Sequence, residues 1–162
     1  MASESGYQRF ACALGMASFQ AQSLEHSIVS LFAATFVLNE GMWKPEVRKI
    51  MDTRYSQTLG RLIKDASKSL NLPEALALKL EEALKERNWV THHFFREYGG
   101  LGVNDQLLIG AIVRLENLWP FFETVAGQVN ELVVQRRIET GLSREQVLKD
   151  IDKALELYVY ER

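Results

Sequence analysis

Residues 7–38, YQRFACALGMASFQAQSLEHSIVSLFAATFVL, read as one uninterrupted helix. At about 100° per residue, Tyr7, Phe10, Leu14, Ala17, Ala21, Leu24, Ile28 and Phe32 fall on a single face. No proline breaks the stretch, and Asn39-Glu40-Gly41 supplies its stop. Its most apolar portion, residues 28–38, is interrupted by Ser30 and Thr35 and is shorter than the roughly 20 residues a membrane span needs. Residues 10–19 follow Glu4 and Arg9 with no positive excess, which argues against a secretory leader.

The remaining segments repeat the helical pattern. Pro45 is a good first-turn residue, and helix is expected over residues 46–70 with a break near 55–58. Such a break leaves Thr58 to cap the piece carrying Leu59, Leu62 and Ile63. Beyond Asn71-Leu72-Pro73, residues 74–98 form a third helix that Gly99, Gly100 and Gly102 terminate. A fourth begins at Asn104-Asp105 and carries Leu107, Ile109, Ile112, Leu115, Leu118, Phe122 and Val125, with Pro120 expected to kink or split it. Gly141 closes that helix, and Ser143-Arg-Glu-Gln146 is a capping box opening a last one through Val147, Ile151, Ala154, Leu155 and Tyr158. No alternating strand pattern occurs. Long helices joined by short loops predict an all-α fold, an antiparallel four- to five-helix bundle forming one domain over residues 1–162.

Composition narrows the function classes. The chain has 162 residues, 47% hydrophobic and 25% charged, the balance of a globular protein. Its net charge of -2 provides no global field for nucleic acid, so RNA binding would need a local basic patch. Basic residues gather at Lys44, Arg48, Lys49, Arg54, Arg61, Lys64 and Lys68, spread around their helices as on a solvated surface. Cys12 is the sole cysteine, which excludes an intrachain disulfide, suits the cytoplasm, and reads as a small core residue.

One place breaks the apolar pattern. On the third helix Leu76, Leu80, Ala83, Leu84, Thr91, Phe94 and Tyr98 form a stripe, and Arg87 falls within it. An arginine there must reach solvent along its stem or find a partner. Glu25, at the edge of the first helix's stripe, is the best-placed carboxylate, and a Glu25–Arg87 bridge would set helix register with or without a site role. Asn88 and His92 stand four apart and share a face. Arg87 and His92 do not share one in an α-helix, so their cooperation requires a loosened turn or a second copy.

The run Arg87-Asn88-Trp89-Val90-Thr91-His92, near the end of a helix in a small bundle, resembles the signature of the HEPN superfamily. Many members of that superfamily are metal-independent ribonucleases of toxin or defence systems, and others are silent relatives that bind or dimerise. The resemblance implies a homodimer whose two motif helices build one composite site acting on RNA, with no metal and no cofactor. In that site His92 is the general base, Arg87 stabilises the phosphorane, and Asn88 positions the phosphate or the imidazole. His93-Phe94-Phe95 departs from the usual residues after the histidine, so the choice between His92 and His93 stays open.

A reading from another class stands beside it: a non-enzymatic interaction module, an adaptor or antitoxin-like partner with no membrane association. There Arg87 is structural, the histidines are surface or interface residues, and Trp89 marks a contact surface because it points away from the stripe. His26 is expected to face solvent, and Trp43 and Trp119 to serve the core or an interface. His92 and His93 are adjacent and no Glu-x-x-His occurs, which disfavours a metal site.

Overall fold

A computed structural model describes residues 4–40, 45–99 and 104–150 of the chain. Trp43, Lys44, Gly100, Gly102 and the end of the last helix, residues 151–158, lie outside the described residues. The fold is all-α: α1 spans Glu4–Glu40, α2 Pro45–Tyr55, α3 Leu59–Ser69, α4 Glu74–Asn88, α5 Phe94–Glu97 and α6 Asp105–Ile138. A π-helical turn, Trp89–His93, joins α4 to α5. No strand occurs among the described residues, and no helix among them is long and apolar enough to cross a membrane.

The helix boundaries follow local chemistry. Thr58 caps α3 by accepting the Arg61 N–H at 3.4 Å, and Asn104 caps α6 by accepting from Gln106 and Leu107. Asn71 ends the α3 segment in the left-handed region at φ 46, where asparagine is tolerated. Gly141 does the same after α6 at φ 91. The capping box forms reciprocally: Ser143 N–H donates to Gln146 Oε1 at 2.9 Å, and Gln146 N–H to Ser143 Oγ at 3.2 Å. Residues 144–150 then continue as helix.

The core is built on α1 against α6. Ala17, Leu24, Ile28 and Val29 from α1 meet Leu115, Phe122, Val125 and Val129 from α6, all essentially sealed from water. Leu62 and Ala66 of α3 and Leu80 and Ala83 of α4 complete it. Arg54 places the α2–α3 corner on α1: its guanidinium stacks 4.0 Å over the Phe32 ring and binds Asp65 at 2.7 Å.

Several side chains depart from the sequence pattern. Pro120 does not split α6, which is continuous through it; Leu115, Leu118, Phe122 and Val125 are buried on either side, and that packing outweighs the missing hydrogen bond. Cys12 is exposed, because Ala13 and Ala17 set the buried face at that level. Tyr7 and Ile109 also lie outward. Phe122→Ala should lower unfolding free energy by about 3–5 kcal/mol. Chemical denaturation checks it, and a loss comparable with that of an exposed Phe19→Ala control would show that the core sits elsewhere.

Candidate functional site

Asn88 is the last residue of α4, and the turn that follows closes one residue late. The Phe94 N–H donates to the Trp89 carbonyl, so Phe94 lies above Trp89 and not above Val90. The Tyr98 N–H returns to the Phe94 carbonyl at 2.9 Å, carrying the offset onward. Trp89, Phe94 and Tyr98 thereby meet as one aromatic group, with Trp89 and Phe94 edge to face at 5.4 Å and Phe94 and Tyr98 stacked at 5.3 Å. Phe10 of α1 stacks on Phe94 from the other side at 5.7 Å.

This geometry corrects the expectation for Trp89, which is buried within its own chain. Its indole N–H donates to Glu97 Oε2 at 2.6 Å. The Arg114 guanidinium of α6 lies 3.4 Å over the ring and bonds Glu97 Oε1 at 3.1 Å and pairs with Glu86 at 3.6 Å. One arginine thus ties the residue just before Arg87 to a residue four positions beyond the π turn. The sequence pattern missed Arg114 because it lies on a different helix and its role depends on the late-closing turn.

Arg87 and Glu25 meet as their positions require. Arg87 Nη2 donates to Glu25 Oε1 at 3.2 Å, with the two side chains 28% and 27% exposed. Arg87 Nη1 donates to Asn88 Oδ1 at 3.4 Å, and the Arg87 carbonyl accepts the Thr91 hydroxyl at 2.8 Å. The pair lies in an open cleft of about 610 Å³ whose walls include Gln22, His26, Tyr55, Thr91 and Phe95. Thr91 is exposed into it and not part of the buried stripe, because Val90 takes the inward position.

His92 and His93 are both exposed and neither lines this cleft. The structure therefore brings Arg87 and Asn88 together and leaves His92 on the outer side of the π turn. The histidine that shares the cleft with Arg87 is His26, whose Nδ1 is hydrogen-bonded to the Tyr55 hydroxyl. Their rings stack at 5.8 Å. His26 is exposed, as expected, yet the groups packed against its ring displace part of its water and hold its pKa below the usual 6.5. The signal that could have found it is its place beside Glu25, the carboxylate that the Arg87 position calls for.

Among the described residues, no group of three or more His, Cys, Asp or Glu side chains converges as metal ligands would. Known proteins offer no guide: no family profile, curated protein or solved structure matches the chain.

Two outcomes follow from these contacts. Arg114→Met should lower stability by about 1–2 kcal/mol, by removing a cation–π contact and two ion pairs. Amide exchange should quicken selectively across residues 89–98; unchanged exchange there would show that the turn holds without Arg114. For His26, the unfolded chain binds more protons than the folded one between the depressed native pKa and 6.5. Its contribution to stability is therefore complete above pH 6.5 and is lost as pH falls through the native pKa. His26→Gln should flatten that part of the stability profile, read by thermal melts across the acid range, and an identical profile in the variant would assign the slope to other groups.

Proposed function

We propose that this chain is an HEPN-like helical protein whose Arg87, Asn88 and His92 form half of a metal-independent RNA-cleaving site, completed by a second copy of the chain. The observation that carries this reading is the π turn set immediately after Arg87-Asn88 and containing His92. Late-closing turns are uncommon inside helices and recur at functional sites. This one spans the segment whose spacing resembles the superfamily motif. It also narrows the angle between Arg87 and His92, since each residue of a wider turn rotates less than the about 100° of an α-helix.

The chemistry asked of these residues is transphosphorylation. His92 takes the proton of an RNA 2′-hydroxyl, and the 2′-oxygen attacks the adjacent phosphorus. The bond to the 5′-oxygen breaks, and that oxygen takes a proton from the medium. Arg87 donates to the phosphoryl oxygens as charge grows on them, and Asn88 orients the phosphate. An imidazole is the side chain best suited to take and release a proton near neutrality. Because His92 lies outside the cleft that holds Arg87, the reading requires the histidine of one copy to face the arginine of another. A toxin or defence role follows from the resemblance, and the single cysteine supports a cytoplasmic setting.

The alternative is an interaction module in which the Glu25–Arg87 pair only sets helix register. The 3.2 Å contact between them favours it, as does the outward position of both histidines.

Purified protein should cleave single-stranded RNA in the presence of a chelator, leaving 2′,3′-cyclic phosphate and 5′-hydroxyl ends. Arg87→Ala and His92→Ala should each reduce the rate by about 10²-fold or more with helicity intact. Mixing the two variants should restore cleavage, because the heterodimer regenerates one arginine–histidine pair. Cleavage that persists in both variants would sink the assignment, and a wild-type chain that cleaves no RNA leaves the module. His93→Ala decides between the adjacent histidines.

A further inference from the structure

The cleft contains a feature that neither the fold nor the Arg87–Glu25 pair explains. Phe95 lines it and is 66% exposed, among the most exposed large apolar side chains of the described residues. Its ring is not loose: it stands edge to face on Phe94, centroids 5.1 Å apart at 88°. Phe94 is itself 1% exposed and clamped by Phe10, Trp89 and Tyr98. A buried ring therefore holds an exposed one at a set angle, with a face left to solvent.

Arg87 lines the same cleft. A guanidinium carries five N–H donors, and Arg87 uses one on Asn88 and one on Glu25. The remaining donors sit beside a carboxylate that cancels most of the local charge. Such a site suits a singly charged anion better than a polyphosphate. The cleft's volume of about 610 Å³ falls within the roughly 300–1,000 Å³ of sites that enclose small ligands.

An anion of single charge joined to a flat π surface describes one nucleotide unit of a nucleic acid chain. Only an unpaired base can offer its face to a side chain, since both faces are covered in a duplex. We propose that the cleft between α1, α2 and the π turn is a subsite for one unpaired nucleotide of an RNA strand, its base stacked on Phe95 and its phosphodiester against Arg87. Gln22 also lines the cleft, and its amide is placed to meet the base edge or the ribose. The inference rests on the RNA reading above for its substrate class, and it assigns a recognition role to a residue that does no chemistry.

The test is binding of a short adenosine-only RNA oligonucleotide whose 2′-hydroxyls are methylated, so that it cannot be cleaved, followed by fluorescence anisotropy. Phe95→Ala should weaken binding about tenfold or more, and Phe95→Trp should restore it. Leu78→Ala, which removes an exposed apolar side chain outside the cleft, should leave binding unchanged. Equal binding by wild type and Phe95→Ala overturns the subsite, as does a wild type that does not bind the oligonucleotide. Cleavage of unmodified RNA, run in parallel, separates the two claims. Phe95-dependent binding without any cleavage keeps the subsite and removes the nuclease. Arg87-dependent cleavage with KM and kcat unchanged in Phe95→Ala keeps the nuclease and removes the subsite.

Discussion

The Arg114 guanidinium covers the Trp89 indole while Glu97 holds the indole N–H, and the backbone between Asn88 and Phe94 closes around that arrangement with one residue more than an α-turn. The placement of the site follows from this constraint. The late closure puts Phe94 over Trp89, which draws Phe10 and Tyr98 into a single aromatic group. Val90, seven residues after Ala83, packs inward, and Thr91 faces the cleft beside it. The late closure also sets Phe95 beside Phe94, its aromatic neighbour among the described residues. A wider turn gives up good α-helical bonding geometry, and here the compensation comes from a cation–π contact and two ion pairs that converge on one arginine from another helix.

The cleft's electrostatics are close to balanced. Arg87 faces Glu25, and His26 is held toward its neutral form by loss of water from its ring. If RNA enters the cleft as proposed, its attraction would have to come from the surroundings. Arg48 and Lys49 of α2 and Arg61, Lys64 and Lys68 of α3 are exposed on the helices that carry or follow Tyr55. Arg54, in the same region, is committed to Asp65 and Phe32. Under the RNA reading proposed above, the exposed lysines and arginines would supply long-range pull and the half-buried Arg87 directed donors.

Much of the fold was legible because its determinants are local. Thr58, Asn104 and the Ser143–Gln146 box act within one turn, and each caps where its residue type requires. The Glu25–Arg87 contact was legible for a different reason: a charge in an apolar stripe has few possible partners. The π turn was not legible, because a template of 3.6 residues per turn has no place for an i to i+5 bond. That omission hid the meeting of Trp89 with Phe94 and Tyr98. The joining of His26 to the cleft was hidden too, since Tyr55 reaches it across two helices. Cys12 and Pro120 mislead for the opposite reason, as tertiary packing overrides what each residue suggests alone.

The Glu25–Arg87 pair also bears on why the arginine is there. A pair with side chains 28% and 27% exposed gains little, on the order of 0–1 kcal/mol, because water competes for both charges. The position is flanked in sequence by buried Ala83 and Val90 on the same face. A leucine there would bury apolar area at roughly 25 cal/mol per Å² without desolvating a charge, and stability alone would favour it. Register could be set by the surrounding apolar contacts, which are extensive along α1 and α6. What a leucine could not supply is a set of oriented N–H donors at the wall of an open cleft. On the proposed reading, those donors are what the arginine contributes and a leucine would lack.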